Sequence, residues 1–109
     1  METKNNVGVT LYFANPTFND GLNVTVRRGV KLVGASDKIL VKNINHQELG
    51  YAKAKYCKVK RFCDISNIDI ENEHDEQCRN YEGLLLTMKE IYNDFDHHEI
   101  VTLIYFSMD

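Results

Sequence analysis

The cysteines of this sequence have none of the spacings that organise small domains. The three cysteines are an odd number, and no two of them form a Cys-x-x-Cys pair, which argues against a disulfide framework and a zinc ribbon. No apolar run is long enough to cross a bilayer, and the first residues, METKNNVG, are polar and lack the apolar region of a signal peptide. We therefore expect a cytoplasmic protein with no membrane partner.

A general excess of positive charge is absent as well. The 109 residues carry a formal net charge of -3, so any attraction to nucleic acid must come from a local basic patch. An apolar share of 43% and a charged share of 27% are those of an ordinary globular chain. Because no repeat or linker is visible at this length, residues 1–109 are expected to form one domain.

Alternation of apolar and polar residues predicts five strands. β-Branched and aromatic segments bounded by turn formers are typical of strands, and the only proline, Pro16, lies between the first two segments. The last segment is apolar almost throughout, which favours a central strand covered on both faces. The predicted strands are residues 7–13, 22–28, 36–44, 51–62 and 99–108.

The longest predicted strand contains a change of phase. Its even positions are apolar up to Tyr56, whereas the odd positions Cys57 and Val59 are apolar afterwards. A slip of one residue is the pattern that a β-bulge produces, because two residues then oppose one on the neighbouring strand. We predict a bulge or sharp bend at Tyr56 and Cys57.

One helix is predicted after the acidic part of the chain. Asn80 can cap the first free amides, Glu82 suits the positive amino-terminal end, and the following apolar residues recur at helical spacing. That stripe, which we assign to the core, contains Tyr81, Leu84, Leu85, Met88, Ile91 and Tyr92. Together the elements predict an α+β fold, with a mixed sheet of about five or six strands curled into a small barrel and one main helix packed on it.

The order of these segments resembles that of ASCH domains. The resemblance rests on a G-x-x-x-T-x-R strand (Gly21, Thr25, Arg27), a Ser-Asp-Lys-Ile start to the next strand, the acidic helix region EHDEQCRNYEGLLLTMKEIY and the terminal IVTLIYF. It spans roughly Val7 to Phe106. The resemblance implies a PUA-like β-barrel whose cleft handles RNA or a nucleoside.

One small branch of that family hydrolyses N4-acetylcytidine, and its motif carries over only in part. Gly21 matches the glycine that starts its second strand, and Thr25 matches its threonine if one residue of register is allowed. The lysine of the motif falls on Leu22 or Asn23 and has no match. Its glutamate can correspond to Glu76 or Glu73 only if a gap is inserted. The resemblance therefore favours binding over catalysis.

The cations beside Gly29 suggest an anion site. Arginine forks suit phosphate or carboxylate, and two of them lie next to a glycine. The alternative is a solvated strand end whose charges pair with surface acids. The predicted ligand-binding residues are Asn23, Thr25, Arg27, Arg28 and Lys31.

A second basic stretch follows on the longest strand. The phase slip prevents its cations from sharing one face, so we favour edge-strand lysines that deter aggregation over a nucleic-acid track. Tyr51 and Tyr56 leave base stacking open. The cations of this stretch are Lys53, Lys55, Lys58, Lys60 and Arg61.

The acidic stretch ENEHDEQC is interpreted mainly as a solvated connection. His74 and Cys78 have helical spacing for a metal, but further ligands would have to come from elsewhere, such as His97 or His98. We therefore predict no metal site and no cofactor.

Three functions follow in order of preference. The first is a module that binds RNA or a nucleotide-like ligand beside the second strand. The second is an amidohydrolase of modified nucleosides, with Thr25 as nucleophile or proton carrier and Glu76 or Glu73 as acid and base. The third is a protein-interaction domain that uses the acidic stretch.

Overall fold

The computed structural model of the protein describes residues 7–109. The polar amino terminus, whose lack of a signal peptide was predicted above, falls largely outside these residues. The chain forms five strands and one α-helix: β1 (Val7–Phe13), β2 (Leu22–Arg28), β3 (Lys38–Asn43), β4 (Glu48–Arg61), α1 (Tyr81–Ile91) and β5 (Ile100–Met108). Short 3-10 turns cover Phe62–Asp64 and Glu76–Cys78. The predicted α+β class is confirmed. Within residues 7–109, no helix has the length and apolarity that a bilayer crossing requires.

The five strands form one mixed sheet in the order β1-β3-β4-β5-β2. β1 runs parallel to β3, and the other neighbouring pairs are antiparallel. As predicted, β5 is central, and all its residues from Val101 to Phe106 are buried. The outer strands β1 and β2 do not pair with each other in the described part of the chain. The sheet therefore stays open between β1 and β2 and does not close into a barrel.

The predicted bulge lies in β4. The pairing of β4 with β5 shifts between Ala54 and Tyr56, so Lys55 is the extra residue, one position before the predicted site. Beyond the bulge, Tyr56 pairs with Tyr105, and their rings stack with centroids 4.3 Å apart. The shift therefore reorients the second half of β4, as the change of phase indicated.

The sheet buries apolar side chains on both faces. Alternate residues of β5 divide between two clusters, with Leu103 and Tyr105 on the helix side and Ile104 and Phe106 on the other. α1 covers the first face. β1 and β3 contribute most of the second, together with the small residues Ala52 and Ala54 of β4, which are buried.

The helix begins and packs largely as predicted. The Oδ1 atom of Asn80 accepts a hydrogen bond of 2.9 Å from the backbone N of Gly83, which confirms the cap. Leu84 and Met88 are buried, and Leu85 is half-buried against the same cluster. Ile91, which was assigned to the core, is 57% exposed. That assignment was wrong, because the side chain of Ile91 lines an open cavity and is not packed in the core.

Gly83 positions the acidic segment against this helix. A Cβ atom at Gly83 would lie 2.0 Å from the carbonyl oxygen of Gln77. Only glycine permits this approach, because no side-chain carbon fits at that distance. The turn Glu76–Cys78 is therefore held directly against the start of α1.

Candidate functional site

The acidic segment is fixed at the free edge of β2. Backbone hydrogen bonds join Val24 N to Asn72 O at 3.1 Å and His74 N to Val24 O at 3.2 Å. The two bonds form a short parallel bridge in which Glu73 is the partner of Val24. A stretch interpreted as a solvated connection is thus partly built into the sheet, and it brings Glu73 beside Thr25.

A cavity of about 270 Å³ lies between β1, β2, this segment and α1. Its polar lining includes Thr25, Arg27 and Glu73, together with Asn15, His74, Asp75 and Thr87. Apolar and aromatic side chains form most of the remaining wall, including Tyr12, Phe13, Met88, Ile91 and Tyr92. The cavity therefore combines a few convergent polar groups with apolar walls, as small-molecule sites commonly do.

Arg27 crosses the opening between the outer strands. Its Nη1 donates to the carbonyl oxygen of Tyr12 at 2.9 Å, and its Nε donates to Oγ1 of Thr25 at 3.2 Å. The guanidinium carbon lies 4.6 Å from the centroid of the Phe13 ring. Burial lowers the pKa of Arg27, yet an arginine keeps its charge at all ordinary pH values. A positive charge is therefore held at a set position in the cavity wall.

The hydroxyl of Thr25 is oriented by that arginine. Thr25 is buried, and its oxygen accepts the bond from Arg27 Nε. The hydroxyl proton is then free to be donated to another acceptor. Thr25 thus offers a hydrogen-bond donor on the cavity side of β2.

Glu73 is a buried carboxyl in the same cavity. Burial raises its pKa to about 8. Its Oε1 accepts a bond of 2.7 Å from the backbone N of Asp75, and Oε2 has no hydrogen-bond partner in residues 7–109. At neutral pH the group is mostly a neutral acid, which can donate as well as accept. Such a group suits proton transfer or recognition of an uncharged acceptor.

His74 is neutral beside it. Burial lowers the pKa of His74 to about 4, and its Nδ1 lies 3.1 Å from the carbonyl oxygen of Thr17, which places the proton on Nδ1. Its Nε2 is 3.5 Å from Oε1 of Glu73. Because both groups are mostly neutral at pH 7, this contact is not an ion pair. The ring packs edge-on against Phe13, with centroids 4.8 Å apart.

Of the other predicted ligand-binding residues, Asn23 stabilises a turn. Its Oδ1 accepts from Asn19 N at 2.7 Å, and its Nδ2 donates to the carbonyl oxygens of Asn19 and Gly21 at 3.2 and 3.3 Å. The side chain is fully buried. Its amide is therefore occupied within the chain and does not face the cavity.

The predicted cation cluster is not assembled around the cavity. Arg28 points to the opposite face of β2 from Arg27 and forms a two-pronged ion pair with Glu99, with N–O distances of 2.6 and 3.0 Å. A third bond of 3.0 Å joins it to Asp94. Lys31 is exposed beyond the strand. Only Arg27 of these three cations lines the cavity.

The choice between the two glutamates is decided by position. Glu76 is exposed and lines a neighbouring polar groove with Thr17, Asn19 and Arg79, whereas Glu73 shares the cavity with Thr25. The motif gave no way to separate them, since the distinction depends on backbone pairing with β2. Among residues 7–109, no lysine lines the cavity.

Two of the five cations in the basic stretch of β4 are paired with an acid. Lys58 and Lys60 each contact a carboxylate oxygen of buried Asp69 at 2.8 Å. Burial alone would raise the pKa of Asp69, but the bonds from the two lysines outweigh it and hold the pKa below its usual range. Both lysines are therefore ion-paired with Asp69 within the protein.

Neither a family model nor a curated protein matches this sequence. Among solved structures, the chain is similar to the crystal structure of an ASCH domain from Lactobacillus crispatus JV V101, with a TM-score of 0.68 and 8% identity over 92% of this chain and 78% of that one. The chain has an ASCH-like fold. The resemblance described from the sequence is thereby confirmed for the fold.

The ASCH-like fold is also similar to a second structure. This is a protein from Enterococcus faecalis V583 described by the family model DUF984, with a TM-score of 0.57 and 13% identity. The match covers 79% of this chain and 62% of that one. At such identities the likeness establishes the ASCH-like fold and does not identify a ligand.

Proposed function

We propose that this protein is a binding module that takes a nucleotide-like ligand, either free or as part of RNA, in the cavity of Thr25, Arg27 and Glu73. The observation that carries the proposal is the convergence of a cation, a hydroxyl and a neutral carboxyl on one cavity with aromatic walls. The solved ASCH domain with the same fold is consistent with it.

The chemistry of the cavity suits a heteroaromatic ring with polar edges. Thr25 and the neutral acid of Glu73 supply donors, and Arg27 retains a nitrogen, Nη2, with no hydrogen-bond partner in the described part of the chain. Tyr12 and Tyr92 offer faces on which a base can stack. A cavity of about 270 Å³ is large enough to admit a base with its sugar.

In this proposal Arg27 contacts the ligand directly. Arg28 and Lys31 are still predicted to contact a phosphate that extends out of the cavity. Since Arg28 is already paired with Glu99 and Asp94, it would have to exchange those partners. Comparing the variants of the two arginines separates these roles.

A titration with defined probes tests the proposal. Cytidine, cytidine monophosphate and a short single-stranded RNA are titrated into the protein by calorimetry and by NMR. We expect binding that Thr25→Val and Arg27→Lys each weaken by at least about tenfold, because each removes a hydrogen bond to the ligand. Lys55→Ala, at the exposed bulge, serves as the matched control. The absence of binding for all three probes, or equal affinity in Arg27→Lys, would reject this site.

The alternative function is hydrolysis of an N-acylated nucleoside base. It is favoured by one observation, a carboxyl with a raised pKa in the same cavity as the Thr25 hydroxyl. Water would add to the acyl carbon, the amide C–N bond would break, and the products would be a carboxylic acid and the free amine of the base. Turnover of N4-acetylcytidine that Thr25→Val and Glu73→Gln abolish would support it, and no turnover by the wild type would remove it.

We further propose that the protein works in a reducing, cytoplasmic compartment. The cysteines at 57, 63 and 78 are all free thiols. Free thiols persist where glutathione and thioredoxin keep them reduced. Fractionation of cells that produce the protein, followed by alkylation of the thiols, tests the compartment and the redox state together.

A further inference from the structure

A group of metal-ligating side chains lies at the turn before β5, outside the cavity described above. Asp96, His97 and His98 each offer one ligand atom, and these atoms lie within 4.8 Å of one another. The thiol Sγ of Cys63, which is 35 residues from His98 in sequence, lies 3.9 Å from Nδ1 of that histidine. Two distant parts of the chain thus place a thiol beside His98, one member of a group of two imidazoles and a carboxylate.

The backbone holds these two parts in place. Cys63 N donates to His97 O at 2.8 Å, and Phe62 N donates to Glu99 O at 2.8 Å. Within the turn, His98 N donates to one carboxylate oxygen of Asp96 at 2.7 Å, which leaves the other oxygen available. The four side chains therefore project from two segments that backbone hydrogen bonds join to each other.

We propose that Cys63, Asp96, His97 and His98 bind a divalent transition-metal ion of the zinc type. Thiolate, imidazole and carboxylate are the ligands that Zn²⁺ prefers, and four of them complete a tetrahedral site. With metal–ligand bonds of about 2.0 to 2.3 Å, neighbouring ligand atoms lie roughly 3.3 to 3.8 Å apart. The three ligand atoms of the turn lie within 4.8 Å of one another, and Cys63 Sγ lies 3.9 Å from His98 Nδ1. Because Asp96, His97 and His98 are exposed, small rotations of their side chains bring the ligand atoms closer.

The surrounding charges favour the binding of a cation only moderately. The carboxylate of Asp64 lies 4.0 Å from Cys63 Sγ. On the other side, Arg61 donates to the carbonyl oxygen of His98 at 3.0 Å. A bound metal would clip the end of β4 to the turn that leads into β5.

Cobalt(II) reports directly on such a site. The protein, kept reduced with a phosphine, is titrated with Co²⁺ while the absorption spectrum is recorded. We expect one equivalent to produce a thiolate-to-cobalt charge-transfer band in the near ultraviolet and the intense visible bands of tetrahedral Co²⁺. Cys63→Ser should remove the charge-transfer band and weaken binding by at least about tenfold, and His98→Gln should weaken it similarly.

Matched controls separate this site from adventitious binding. Cys57→Ser changes a different half-buried thiol, which lies in β4, and His46→Gln changes an exposed histidine of the β3–β4 turn. Both variants should bind the metal as the wild type does. Zn²⁺ should also raise the thermal midpoint of the wild type and of both controls, but not of His98→Gln. A wild-type spectrum without the charge-transfer band, or one that Cys63→Ser leaves unchanged, would overturn the proposal.

Discussion

The Nη1 atom of Arg27 donates a hydrogen bond of 2.9 Å to the carbonyl oxygen of Tyr12. This bond joins β2 to β1, the two outer strands of a sheet that does not close. The same guanidinium orients the hydroxyl of Thr25 through its Nε. One side chain therefore connects the shape of the fold to the polar groups of the candidate site.

Replacing Arg27 should affect both stability and binding. In Arg27→Met the carbonyl of Tyr12 and the hydroxyl of Thr25 each lose a charged donor, so we expect the free energy of unfolding to fall by about 1.5 to 3 kcal/mol. Urea unfolding measures the change. Arg61→Met is the matched control, since Arg61 also donates to a backbone carbonyl, that of His98, but from an exposed position. It should cost less than about 0.5 kcal/mol. Equal losses in the two variants would contradict the role of Arg27 at the opening.

The buried pair Glu73 and His74 predicts an unusual pH dependence of stability. Burial raises the pKa of Glu73 from 4.5 to about 8 and lowers that of His74 from 6.5 to about 4. Between pH 4.5 and 6.5 the native state keeps a proton on Glu73 that the unfolded state releases, while the unfolded state keeps one on His74 that the native state releases. The two contributions therefore cancel in this range.

Above pH 6.5 only the Glu73 contribution remains. The native state then binds one more proton than the unfolded state, so stability should fall by up to about 1.4 kcal/mol per pH unit until pH approaches 8. The stability of Glu73→Gln should not change with pH over that interval. In His74→Gln the fall in stability with rising pH should begin at about pH 4.5. Urea unfolding across this pH range provides the measurement, and identical slopes in wild type and Glu73→Gln would contradict the buried acid.

Gly83→Ala should destabilise the protein although alanine is the better helix former. The added Cβ would meet the carbonyl oxygen of Gln77 at 2.0 Å, so the backbone must move. We expect a loss of about 1 to 3 kcal/mol in unfolding free energy, where an unhindered helix site would gain nearly 1 kcal/mol. Glu82→Ala, the exposed neighbour, should be near neutral. A more stable Gly83→Ala would show that the contact relaxes freely.

Gly83→Ala should also weaken ligand binding at the candidate site. Moving the turn Glu76–Cys78 displaces the segment that carries Glu73, so ligand affinity should fall together with stability. Thermal unfolding and titration of the same samples measure both quantities. A destabilised variant with wild-type affinity would contradict this coupling.

Truncations along α1 should follow the observed burial. Leu84→Ala removes a buried side chain and should cost about 2 to 5 kcal/mol. Leu86→Ala, at a position 63% exposed, should be close to neutral, and Leu85→Ala should lie between the two. Chemical denaturation ranks the three variants, and a cost for Leu86→Ala equal to that for Leu84→Ala would contradict the orientation of the helix.

Local patterns in the sequence predicted most of the secondary structure. Alternation predicted the strands, the capping residue Asn80 and helical spacing predicted α1, and a change of phase predicted a bulge within two residues of Lys55. These features depend on neighbours in the chain, which is why they could be found without coordinates. Ile91 was misassigned because periodicity identifies a helix face but does not indicate which part of that face borders an open cavity.

The candidate site was only partly predictable. Thr25 was predicted from the resemblance to ASCH domains and Arg27 from the cations beside Gly29, and both lie on one face of β2. Arg28, one residue later, necessarily points the other way and is bound by Glu99, a partner 71 residues away. Glu73 could not be separated from Glu76, because the distinction depends on hydrogen bonds between residues 72–74 and β2.

The sequence alone determined the elements, the α+β class and the presence of a threonine and an arginine on one strand face. Only the tertiary structure decided that the sheet stays open, that Glu73 is the buried acid, and that Cys63 meets His98. The physical reason is distance along the chain. Periodicity and capping act over a few residues, whereas burial, pKa shifts and ligand clusters arise from segments that folding brings together from far apart.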